Sequence, residues 1–141
     1  MTGSQLSVQT RIRSSLAAVR LGTRNAVKCS HDPAETEEHR WVKWQVAEFC
    51  YKNQLQFVTE ASLKGGGRAD IVVLDWGVIL EICNTEEIRH ALKKEYPLPI
   101  LAISSAIPRP FLHAMLMELN GSSGEANIIR HYQERMKELT R

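Results

Sequence analysis

The stretch EASLKGGGRADIVVLDWGVILEICNT, Glu60 to Thr85, decides how this chain folds. Arg68 to Leu74 and Val78 to Ile82 are rich in Val, Ile and Leu, and Asp75-Trp76-Gly77 between them supplies turn residues. That pattern predicts a β-hairpin, because β-branched and apolar side chains suit a pleated, buried surface and glycine lets the chain reverse. Each strand carries one acid, Asp70 on the first and Glu81 on the second. A lone carboxylate is costly to bury there. A divalent cation compensates, since hard ions such as Mg²⁺ take oxygen from one or two carboxylates and keep water elsewhere. Register decides whether the acids meet, because side chains alternate faces along a strand. A two- or four-residue connection sets Asp70 opposite Glu81, whereas a three-residue loop ending in a left-handed Gly77 offsets them; the sequence admits either.

Working outward, Leu55 to Ala61 reads as a preceding strand with Glu60 near its end. Lys64-Gly65-Gly66-Gly67-Arg68 joins it to the hairpin as a basic, glycine-rich turn that lacks the Gly-Lys-Ser/Thr ending of a Walker loop. Glycines also let a backbone approach a phosphate closely, which makes Lys64 and Arg68 candidate phosphate contacts. Upstream, Asp32-Pro33 is expected to open a helix with Asp32 as N-cap and Glu35, Glu37 and Glu38 at the positive end of its dipole. Trp41, Val42, Gln45, Val46, Phe49 and Cys50 form its predicted buried stripe, and Glu35, His39 and Lys43 recur every four residues on another face. Downstream, Thr85 to about Glu95 predicts a helix, Leu98 to Ser104 a strand, and Phe111 to Leu119 and Glu125 to Leu139 two further helices. The order α-β-β-β-α-β-α predicts an α/β fold, one mixed central sheet flanked by helices.

The chain has 141 residues, 24% charged and 43% apolar, which fits a single soluble domain. Its apolar runs fall far short of the roughly 18 to 20 residues of a membrane span. Cys29, Cys50 and Cys83 are odd in number and lack CxxC spacing, which argues against a disulfide framework and a four-ligand zinc site. A reducing, intracellular setting is therefore expected, cytoplasmic or nucleoid-associated. Cys29-Ser30-His31 supplies at most one pair of ligands. The net charge of +2 hides an asymmetry: residues 1–31 hold Arg11, Arg13, Arg20, Arg24 and Lys28 and no acid. They read as a basic N-terminal arm or helix preceding an α/β domain over residues 32–141. Such an arm favours a polyanionic partner, because neutralised phosphates release counterions. A solvated arm, a dimer-swapped helix and a transit peptide are the other readings of the same composition.

The order of these parts resembles the PD-(D/E)XK nuclease superfamily, whose signature is an acid on one strand and Glu-x-Lys on the next. Here those positions fall on Asp70 and on Glu81-Ile82-Cys83, with Glu35, Glu38, His39 and Lys43 upstream as in branches with a helix-borne Glu or His. Junction-resolvase-like and competence-protein-nuclease-like branches are the nearest in kind, and the likeness covers roughly Glu35 to Ser104. It implies a restriction-endonuclease-like α-β-β-β-α-β core and a metal-dependent endo- or exonuclease acting on DNA, branched or single-stranded. It also implies Mg²⁺ or Mn²⁺ held by Asp70, Glu81 and the Ile82 carbonyl; Glu38, His39 and Lys43 as further catalytic residues; and Arg11, Arg13, Arg20, Arg24, Lys64 and Arg68 on the DNA backbone. A homodimer would present two sites to two strands. The departure is Cys83, which stands where the family's Lys positions or activates the attacking water. Other branches move that Lys to another element, which makes Lys64, Lys43 and Lys93 the alternatives. A nuclease fold that has lost its chemistry and serves as a DNA-binding or assembly module is the competing expectation.

Overall fold

The computed structural model describes residues 3–28, 36–83, 91, 93–122 and 126–139. Its elements are helix α1 (Gly3–Ala18), strand β1 (Val19–Leu21), helix α2 (Glu37–Lys52), strands β2 (Phe57–Leu63), β3 (Arg68–Val73), β4 (Val78–Cys83) and β5 (Ile100–Ser104), and helices α3 (Arg109–Gly121) and α4 (Ala126–Leu139). The strands form one sheet in the order β1-β2-β3-β4-β5. The pairs β1–β2, β2–β3 and β3–β4 are antiparallel, and β5 runs parallel to β4. A mixed α/β fold is therefore present, as the alternation of patterns predicts.

The β3–β4 turn has four residues, 74–77, with Gly77 at φ 67° and its N–H donating to the Val73 carbonyl at 3.0 Å. Positive φ at that step suits glycine, which has no Cβ to clash. The resulting register pairs Ile71 with Leu80, Val72 with Ile79 and Val73 with Val78. Carried one step further, it sets Asp70 opposite Glu81.

Both faces of the sheet are covered. On one, Ile71, Val73, Val78, Leu80 and Ile82 pack with Val42, Val46 and Phe49 of α2, Leu112, Met115 and Leu116 of α3, and Ile129 and Tyr132 of α4. On the other, Val58, Leu63, Val72, Leu74 and Ile79 pack beneath Ile12 and Leu16 of α1, together with Tyr96 and Leu98. Every residue of β4 is buried, which is why its sequence is apolar apart from Glu81 and why that carboxylate stands out.

The basic N-terminal segment is laced to the sheet. Ser15 Oγ donates to the Leu74 carbonyl at 3.0 Å, and Arg11 donates to the Asp75 carbonyl at 2.8 Å. β1 pairs with Leu63 and Ser62 of β2, and Thr59 Oγ1 both donates to the Ala26 carbonyl and accepts from Lys28 N.

Several boundaries differ from expectation. α2 is capped by Thr36, whose hydroxyl accepts from His39 N at 3.2 Å, rather than by Asp32; an oxygen is needed within reach of the first free N–H groups of this helix, and Thr36 adjoins them. Asp32, Pro33 and Glu35 lie outside the described residues, as do Cys29, Ser30 and His31. Most of the helix expected from Thr85 also lies outside; Ala91 is helical, and 93–95 is turn and irregular chain. β2 begins at Phe57 rather than Leu55, because Leu55 N is still engaged with the Cys50 carbonyl at the end of α2. Among the described residues no helix is long and apolar enough to cross a membrane.

Candidate active site

The hairpin register brings the two predicted acids together. Asp70 Oδ2 accepts from Ile82 N at 2.8 Å, and Glu81 Oε1 accepts from Asp70 N at 3.3 Å. Each carboxylate thus takes an amide from the strand opposite, and this reciprocal bonding fixes both side chains to the backbone. His39, projecting from the first turns of α2, places Nε2 3.3 Å from Asp70 Oδ1. Lys94 places Nζ 3.6 Å from Glu81 Oε2. A histidine and a lysine therefore flank two adjacent carboxylates.

Glu81 is 6% exposed. Burial, and then the neighbouring charge of Asp70, push its pKa up to about 7, while Lys94 and the Asp70 amide act in the opposite direction. For Lys94, burial disfavours the ammonium, but Glu81 and Tyr96 outweigh it and the net shift is upward. A negative pair whose second charge is strained at neutral pH is a natural partner for a cation.

A second polar cluster lies beside the first. Lys43 is fully buried; its ammonium donates to Glu60 Oε1 at 2.7 Å and to the Lys28 carbonyl at 3.0 Å. Glu60 Oε2 lies 3.0 Å from Arg68 Nε. Glu60 has φ 50°, rare for a non-glycine residue and rarer within a strand. Thr59 pairs with Ile71 and Ala61 with Ala69 around it, so the ladder keeps its register across the irregular residue.

Of the residues singled out in the sequence, Asp70, Glu81 and His39 come together. Lys43 and Arg68 engage Glu60, Glu38 is exposed in the first turn of α2, and Ile82 offers its amide to Asp70. Lys64, Arg13, Arg20 and Arg24 are exposed, while Arg11 is tied to the β3–β4 turn, the far end of the hairpin from Asp70. Lys94 was not among the sequence candidates; its neighbour Lys93 was, and Lys93 is exposed. Cys83 is buried, its Sγ 3.8 Å from the Glu81 carbonyl. Burial, and then Asp75, push the Cys50 thiol up to about 12, which leaves it inert as a nucleophile near neutral pH.

Among the described residues no group of three or more His, Cys, Asp or Glu side chains is arranged to hold a metal ion. The Asp70–Glu81 pair is a two-carboxylate, oxygen-only donor set. It fits a hard cation that shares its coordination with water and phosphate, and it does not fit a closed structural zinc site. Compared with known proteins, the chain matches no family model, no curated protein and no solved structure.

Proposed function

We propose that this protein is a metal-dependent DNA nuclease of the PD-(D/E)XK kind. The observation that carries the reading is the Asp70–Glu81 pair, two carboxylates on adjacent strands with mutual amide contacts and one pKa pushed up to about 7. The succession α2, antiparallel β2–β3–β4 and parallel β5 supports a restriction-endonuclease-like core. Asp70 and Glu81 would hold Mg²⁺ or Mn²⁺, which when bound polarises a phosphodiester and supplies hydroxide from water near neutral pH. His39 Nε2, 3.3 Å from Asp70 Oδ1, would bring an imidazole nitrogen to the edge of the site. Lys94 brings a cation to Glu81 where the family's Lys position is occupied by Cys83. The exposed Lys64, Arg13, Arg20 and Arg24, with Arg68, would follow the nucleic-acid backbone and make binding strongly salt-dependent.

Cleavage of labelled single-stranded, duplex, flapped and four-way-junction DNA with Mg²⁺, Mn²⁺ or EDTA tests the proposal, with Asp70→Asn as the control for contaminating nuclease. Metal-dependent cutting lost in that variant is the expected result. Salt-sensitive binding without cutting would replace the proposal with the degenerate DNA-binding module, the reading favoured by Cys83.

Replacing Lys94 with Gln is expected to lower kcat by about 10²-fold, the order found when a preorganised positive or donor group is removed from a developing charge. Single-turnover cleavage measures this, and an unaltered rate would remove Lys94 from the site.

A pH dependence also follows from Glu81. Its pKa is raised from 4.5 to about 7 on folding, so the folded state binds the proton more tightly than the unfolded state does. The stabilisation is complete below about pH 4.5 and disappears as pH rises through about 7. Without metal, the melting temperature should fall as pH rises from about 4.5 through about 7, and Glu81→Gln should flatten that fall. Millimolar Mg²⁺ or Mn²⁺ should raise the melting temperature at pH 8 by a few degrees and have little effect at pH 5.5, because the ion competes with the proton. Equal shifts at both values would count against metal binding by Glu81.

A further inference from the structure

We propose that Tyr96 is a positioning residue: seated against the bare α-carbon of Gly67, its ring holds the Lys94 ammonium beside Glu81. The catalytic consequence rests on the nuclease reading; the placement does not.

Lys94 and Tyr96 lie in irregular chain after Ala91, and Lys94 is only partly buried. Neither helix geometry nor core packing fixes a long, flexible side chain there. Tyr96 supplies the constraint. Lys94 Nζ lies over the Tyr96 ring, 5.5 Å from its centre and within range of a cation–π attraction. The ring is itself anchored: with Leu98 it packs against the apolar cluster of Val72, Leu74 and Ile79 beneath α1. Its edge also meets Gly67. A Cβ at that position would stand 2.8 Å from Tyr96 Cε1 and 3.1 Å from Oη. Gly67 also has φ 88°, so this third glycine is required both by backbone handedness and by the approach of the ring. Gly65 and Gly66 have open space where a Cβ would be, so only Gly67 of the triplet forms the seat. The β2–β3 turn, Tyr96, Lys94 and Glu81 thus form a continuous contact chain, and displacing the ring withdraws the cation from the carboxylates.

The test uses the full chain, ¹³C-labelled at lysine, with the Lys94 signal identified by its loss in Lys94→Gln. The Lys94 ε-methylene resonance is expected upfield of the exposed lysines because the adjoining Nζ lies over the ring. It should stay there in Tyr96→Phe, move to the exposed position in Tyr96→Leu, and shift in Gly67→Ala. In DNA cleavage, Tyr96→Leu should lower kcat by about 10- to 100-fold with KM little changed, the scale of a misplaced catalytic group. Tyr96→Phe should keep most activity. The double variant Tyr96→Leu/Lys94→Gln should be no slower than Lys94→Gln alone, since a residue acting only through Lys94 has nothing left to position. A Lys94 signal that coincides with the exposed lysines in the wild type would overturn the proposal without recourse to any variant. So would additive losses in the double variant. A wild type that binds but does not cut DNA would overturn the nuclease reading, and the ring-current shift would still decide whether Tyr96 places Lys94.

Discussion

Glu60→Ala is expected to destabilise the fold by about 3–5 kcal/mol, the cost of leaving a buried ammonium without its counter-charge. Lys43 is 0% exposed and its ammonium lies 2.7 Å from Glu60, so removing that carboxylate leaves a charge that water cannot reach to solvate. A domain of this size has about 5–15 kcal/mol in hand, so the variant should be partly unfolded at moderate urea. Arg68, the other partner of Glu60, is 57% exposed, and Arg68→Ala should shift stability by no more than about 0.5 kcal/mol. Lys43→Met should be milder than Glu60→Ala, because it removes the buried cation and keeps an apolar chain of similar length, while Glu60 retains Arg68. Urea unfolding of the three variants measures the contrast. A loss under about 1 kcal/mol for Glu60→Ala would mean that the Lys43 ammonium is solvated or is neutral in the folded state.

Asp70→Asn and Glu81→Gln should each reduce metal-dependent DNA cleavage by about 10³-fold or more, since several kcal/mol of charge stabilisation depend on the ion they would hold. Both substitutions keep the side chain's shape and an oxygen that accepts the amide from the opposite strand, at Ile82 N and at Asp70 N respectively. Folding should therefore survive. Glu81→Gln should even raise the melting temperature at pH 8, because it removes a carboxylate whose ionisation is opposed by burial and by Asp70. Loss of cleavage with retained or increased thermal stability separates a functional role from a structural one. Undiminished cleavage in both variants would eliminate the site.

The local pattern of residues 60–85 is enough to name the hairpin and its two acids, because apolar β-branched runs and turn residues are short-range signals, whereas the turn takes in Leu74, which the pattern assigns to the strand. Helices α3 and α4 were legible for the same reason, with boundaries within two residues of expectation. The N-cap of α2 was misplaced because Asp32 and Thr36 both carry capping oxygens, and sequence alone does not say at which of them the first free N–H groups fall. Nothing local distinguishes Lys94 from its neighbour Lys93; contact with Glu81 depends on how that segment returns across the sheet. Lys43, a candidate catalytic residue by resemblance, meets Glu60, whose left-handed φ no local signal announces.

What the sequence determined by itself is therefore the inventory: a mixed α/β fold, a buried central strand interrupted by Glu81, an acid on the strand before it, and a basic N-terminal segment free of acids. What only the tertiary structure decided is which charges meet. The sequence allowed several connection lengths between β3 and β4, and the four-residue turn selected the register that sets Asp70 against Glu81. The packing of α2 and of the chain after Ala91 then assigned His39 to one carboxylate and Lys94 to the other. The physical reason is range: propensity and periodicity act over a few residues, whereas the ion pairs of this site join groups brought close only when the whole sheet is assembled.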